Sequence, residues 1–137
     1  MERQIATNRL QSDRLLKCGV QADTADMCWT RFESDGEKYE QLSVMDEWAY
    51  EFASLSPIPA WSLSALLSLL PFKIHSGKYE YWLDIAPMDY GRQWSIGYYC
   101  MDKPIVIKGL THTDSLIECA VQEIEWLTSN GYKLNEI

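Results

Sequence analysis

The chain is short of nearly every residue pattern that announces chemistry. Its 137 residues include two histidines, His75 and His112, so a catalytic dyad or a histidine-rich metal site has little to draw on. His112 lies near Asp114, a pairing able to orient an imidazole, yet both histidines read as solvated positions just outside structured elements. There is no glycine-rich phosphate loop, no G-x-S-x-G elbow and no H-E-x-x-H pair. Asp23-Thr24-Ala25-Asp26 resembles a fragment of a metal loop but lacks the glycine and distal glutamate of a calcium site. Asp23 reads instead as the cap of a short turn, and Asp26 as a surface residue. The four cysteines, Cys18, Cys28, Cys100 and Cys119, form no C-x-x-C pair and suit no zinc finger. Cys100 and Cys119 fall inside a predicted strand and helix, where buried, inert thiols are the usual finding. These absences predict no metal, no cofactor and no enzymatic activity.

Long apolar runs are missing too, since none approaches the ~20 residues that cross a bilayer. Residues 1–20 are polar and charged, unlike a secretory leader, so a cytoplasmic location with four free thiols is expected. Positive charge is scarce: 12 Lys and Arg stand against 20 Asp and Glu, a net charge of −8. That balance excludes direct nucleic-acid binding through phosphate neutralisation and a role on anionic membranes. The acids are clustered. From Glu33 to Glu51 seven acids (Glu33, Asp35, Glu37, Glu40, Asp46, Glu47, Glu51) oppose one base, Lys38, leaving a charge of −6.

What the chain does have is aromatic bulk, six Trp, eight Tyr and three Phe, enough for a real core in one domain spanning residues 1–137. Sequence patterning predicts an N-terminal helix over residues 8–18, capped by Thr7 and closed by Gly19 with Val20 folding back onto Leu15. Ser34-Asp35-Gly36-Glu37 marks a hairpin between residues 27–33 and 38–44. Residues 46–54 place Trp48, Phe52 and Leu55 on one helical face, and Pro57 and Pro59 end what precedes them. A short helix over residues 61–70 follows, capped by Ser62, with Leu63, Leu66, Leu67 and Leu70 inward. Residues 79–85 and 94–101 alternate as paired strands, turning at Asp89-Tyr90-Gly91-Arg92, and residues 104–108 form a third strand. The last helix covers residues 115–130, capped by Asp114 or Thr113. It buries Leu116, Ala120, Ile124 and Leu127 and exposes Glu118, Gln122 and Glu125. Gly131 stops it, and Tyr132 packs back onto Leu127. The fold class is therefore α+β: a small antiparallel sheet packed against a long C-terminal helix, completed by a short central helix and an N-terminal helix.

Two surfaces are candidates for a partner. Alternation puts Trp82 on the strand face opposite Tyr79 and Tyr81, and Tyr99 opposite Trp94, so a helix covering only one sheet face leaves rings exposed. The acidic stretch interleaves carboxylates with aromatics, and Glu37, Tyr39, Glu40, Glu47, Trp48 and Tyr50 form a candidate partner surface. Its competing reading is a charged hairpin edge that merely prevents aggregation.

Three segments taken together carry a resemblance: Gly19-Val20 through Asp23-Thr24-Ala25-Asp26-Met27, then Pro59 through Pro71 with its leucine stripe, then Ser115 to Tyr132 ending Asn130-Gly131-Tyr132. Their order resembles a group of small proteins from gut Bacteroidales genomes, many carried by prophages and mobile elements, with no assigned activity. The resembling motifs are caps, a leucine stripe and a helix stop, so they transfer no site residue. The resemblance implies a bacterial, cytoplasmic accessory protein. The expected function is a non-enzymatic interaction module with a protein partner, and a homodimer is compatible with it. The alternatives are an acidic anti-defence or immunity protein that mimics nucleic acid or blocks a basic partner, and a small-ligand enzyme.

Overall fold

The structure, a computed structural model, describes residues 4–44, 55–102 and 106–136. The architecture is α+β, with three α-helices and two antiparallel sheets among the described residues. The chain divides into two compact units, Met1–Ala65 and Leu66–Ile137. The predicted helix over residues 46–54 lies outside the described residues.

The first unit opens with α1 (Arg9–Lys17) and a short 3₁₀ turn (Ala22–Thr24). Strands β1 (Met27–Ser34), β2 (Glu37–Val44) and β3 (Leu55–Ala60) follow, arranged β2-β1-β3. The cap of α1 is Asn8 rather than Thr7: its side chain accepts from the Gln11 amide at 2.8 Å, and the Gln11 side chain accepts from the Asn8 amide at 3.0 Å. This reciprocal capping box satisfies two orphan amides at once. Thr7 ties the helix start to a distant segment instead, accepting from the Trp61 amide at 3.0 Å. The closure at Gly19 is as expected, with the Val20 amide donating to the Leu15 carbonyl at 3.0 Å and both side chains buried. The hairpin is also present, in register from Met27↔Val44 to Ser34↔Glu37. Its two-residue turn needs positive φ at both Asp35 (53°) and Gly36 (80°), which is why an Asp-Gly pair sits there.

Strand β3 carries Pro57 and Pro59, the residues expected to break structure. Among the described residues it pairs only with β1, at the sheet edge, where a missing amide leaves no ladder bond unmade on the open side.

Helix α2 (Leu63–Leu69) contains the boundary between the units. Ser62 caps it, accepting from the Ala65 amide at 3.2 Å, and Asp26 in turn accepts from the Ser62 amide at 2.9 Å. Asp26 is exposed as expected, but it has a structural task. Ala65, Leu66, Leu69 and Leu70 are buried, while Leu63 and Leu67 are only partly covered.

The second unit is a four-stranded sheet in the order β4-β5-β6-β7, built from β4 (Lys73–Ser76), β5 (Tyr79–Met88), β6 (Gln93–Cys100) and β7 (Val106–Thr113). Strand β4 is an addition to the expected set, and β7 runs five residues beyond Lys108. Helix α3 (Leu116–Ser129) packs on β6 and β7. Its cap is Ser115, which accepts from the Glu118 amide at 3.3 Å, while Thr113 receives the Ser115 amide at 3.1 Å. Past Gly131, the Tyr132 amide donates to the Leu127 carbonyl at 2.9 Å, and its ring stacks on Trp126 at 5.5 Å.

Candidate functional site

The second sheet has two unlike faces. Ile74, Tyr81, Ile96 and Tyr98 point toward one face and are buried. On this side Tyr98 donates to the Pro71 carbonyl at 2.8 Å and stacks on Trp126 of α3 at 6.5 Å. Neighbouring residues along each strand point the other way. Trp82 sits across from Tyr99, and Tyr99 from Ile107. Leu110 and Ile107 both lean over Gly97, where a β-carbon would meet them at 3.3 and 3.4 Å. The second face therefore carries a cluster of apolar side chains, with the exposed Asp84 of β5 beside it, opposite Gly97. Trp82 is 50% exposed, Ile107 43% and Leu110 54%. Lys73 sits over the Trp82 ring at 5.1 Å and pairs with Glu80 at 3.4 Å. That exposed ion pair lies at the margin on β4 and β5, and Asp84 brings a further charge to the same face.

His75 and His112 are exposed, as expected, but they lie within β4 and β7 rather than in loops, opposite Glu80 and Ser95. Among the described residues no group of three or more His, Cys, Asp or Glu is close enough to hold a metal ion. All four cysteines are free thiols, three of them buried.

The residues of the acidic surface separate. Glu37 and Tyr39 share one face of β2, where the Tyr39 hydroxyl donates to the Glu37 carboxylate. That bond raises the Tyr39 pKa. Glu40 points to the opposite face and pairs with Arg9 of α1 at 3.0 Å. Glu47, Trp48 and Tyr50 lie outside the described residues.

One residue of the second unit was not singled out by sequence. Glu123 is fully buried on the inward side of α3. Its Oε2 accepts from the Thr111 hydroxyl at 3.2 Å, and its Oε1 has no hydrogen-bond partner among the described residues. Burial pushes its pKa up to about 8, against a weaker lowering by Thr111, so it is a neutral acid at neutral pH. Neutrality also helps the local proton count. The Thr111 hydroxyl has one proton, yet it lies 3.3 Å from the Ile96 carbonyl as well as beside Glu123. A protonated Glu123 can donate to Thr111, freeing that hydroxyl for Ile96. Burial raises the Cys119 and Tyr98 pKa values too, and the Glu123 charge adds to both shifts.

Gly109 fixes how closely β7 approaches this acid. It has φ +62°, and a β-carbon there would fall 2.6 Å from Glu123 Oε1 and 2.5 Å from Trp126 Cε3. Only a glycine allows the strand that near, and its backbone fills the space beside the unpartnered oxygen. Perturbed pKa values in a cluster are a common mark of catalysis, but a carboxyl sealed under a strand gives no substrate access to the proton.

No known protein family, curated protein or solved structure gives a match to this chain.

Proposed function

We propose that the chain is a non-enzymatic protein-interaction module, of phage or mobile-element origin, that engages a protein partner through the open face of its second sheet. The observation that carries this reading is the exposure of Trp82, Ile107 and Leu110 around Tyr99 on one face of the sheet. Soluble proteins seldom leave a continuous apolar patch uncovered without a binding role. Trp and Tyr in particular supply large contact area with few rotors to freeze, which is why they dominate interface anchors. The enzyme alternative has a weaker footing, because the most perturbed acid is fully buried.

The test is a Trp82→Ser, Leu110→Ser double variant used beside wild type in affinity capture from the native host, with bound proteins identified by mass spectrometry. Both side chains are half-exposed, so circular dichroism should show a retained fold. The variant is expected to lose the partner that wild type retains. Recovery of the same partner in undiminished yield would exclude this face as the binding surface.

A further inference from the structure

The geometry points to Glu123 as a proton-operated latch that regulates the open face: neutral, it holds α3 against the Gly109 bulge of β7, and ionised, it frees β7 together with Ile107 and Leu110. The latch rests on the reading of that face as a binding surface only for its consequence on partners.

Three observations build it. First, among the described residues β7 is an edge strand, bonded in its sheet only to β6, and its register shifts between Ile96 and Tyr98 where Gly109 bulges. An edge strand with a break in its ladder is the cheapest element of a sheet to release. Second, the two residues flanking the bulge on the outer side belong to the open face, while Gly109 itself is pressed against Glu123 and Trp126. Inner contact and outer surface are thus carried by the same short segment. Third, Glu123 has one hydrogen-bond partner and one bare oxygen. A carboxylate in that position cannot be hydrated unless something moves, and burying an unsolvated charge is costly.

Among the described residues, burial and the Thr111 hydrogen bond are what act on the Glu123 carboxyl, and no cation is paired with it. From β6 it faces Tyr98, and from its own helix Cys119, both of which are made harder to ionise by it. On β7, Lys108 is engaged with the Ser76 hydroxyl at 2.9 Å and lies over the Tyr81 ring. His112 lies opposite Ser95 and is exposed on the outer face. Glu118 and Glu125 are the other acids of the same helix, and Glu118 accepts from the Gln122 side chain at 2.8 Å. When the proton leaves the carboxyl for solvent, water must enter, and β7 is the strand that can admit it.

The experiment is amide hydrogen exchange on the full chain between pH 5.5 and 9, corrected for intrinsic exchange, comparing wild type with Glu123→Gln. Opening of the β7 amides that releases Glu123 to water should become about tenfold more frequent per pH unit up to about pH 8, then level off. From pH 5.5 to 7.5 that is roughly 100-fold. Amides of β5 should open less often than those of β7. Glu123→Gln should flatten the pH dependence in β7. Equal opening of β5 and β7 at every pH would mean that only global unfolding exposes Glu123, and would overturn the latch. Should the variant fail to fold, carboxyl carbon shifts of the wild-type chain decide the matter, because a Glu123 midpoint in the ordinary glutamate range also overturns it. Neither readout uses a partner, so failure of the latch and failure of the binding face are separable.

Discussion

Glu123 lies on the buried face of α3, and burial raises its pKa. Its pKa is about 8 in the fold against 4.5 as a free side chain, so between those values the folded chain holds a proton that the unfolded chain has released. The contribution of Glu123 to stability therefore falls as pH rises through that window, by about 1.4 kcal/mol per pH unit. Glu123→Gln keeps the shape and removes the titration. Its urea midpoint is expected to exceed that of wild type at pH 8.5, with the gap closing toward pH 5; a gap that does not change with pH would mean that Glu123 is ionised in the fold. The position was legible in the sequence. Cys119, Glu123 and Leu127 form an i, i+4 ladder on one helical face, and both neighbours of Glu123 in it are fully buried. Chemical type pointed to the surface while position pointed to the core, and the Thr111 hydroxyl that makes burial tolerable comes from a strand that sequence reading ended too early.

At the scale of elements, the joint between β7 and α3 depends on a missing side chain. Gly109→Ala would bring a methyl to 2.5 Å from the Trp126 ring and would hold alanine at φ +62°. Overpacking costs about 1–3 kcal/mol and the left-handed backbone about 1 kcal/mol more. Chemical denaturation should therefore show a loss of ~2–4 kcal/mol. By contrast, Gly77→Ala meets no atom within 4 Å, so its loss should be limited to the backbone term of about 1 kcal/mol. Equal losses would show that β7 does not press on the helix. Helix ends, the Asp-Gly hairpin and the alternation of β5 and β6 were all readable, because each depends on local backbone chemistry. Strand β3 was not, because two prolines argue against a strand unless its edge position is known, and edge position is a tertiary fact. Strand β4 escaped notice because four residues are too few to show a period. The outward Trp82 followed from alternation alone, whereas Leu110 joined the same face through a bulge that no sequence period reveals.

For the whole molecule, two surfaces are candidates for the proposed partner, and ionic strength separates them. The acidic stretch holds most of the net charge, but the described part of it is partly committed: Glu40 is paired with Arg9, and Glu37 accepts from Tyr39. Exposed ion pairs contribute ~0–1 kcal/mol and weaken with salt. The open face of the second sheet carries an apolar cluster beside the exposed Asp84, with Lys73 paired to Glu80 at the margin. Burial of apolar surface depends little on salt at moderate concentration and more on the rings themselves. If the open face binds the partner, raising salt from about 50 to 500 mM, a range that shortens the screening length from roughly 14 to 4 Å, should weaken the captured complex by no more than a few-fold. On the same reading, Trp82→Ser with Leu110→Ser should abolish the complex at both salt concentrations. A Glu37→Gln, Glu40→Gln, Glu47→Gln variant should retain it, with at most a slower association at low salt. The opposite pattern, a complex lost at high salt and lost in the triple variant, would move the binding site to the acidic stretch.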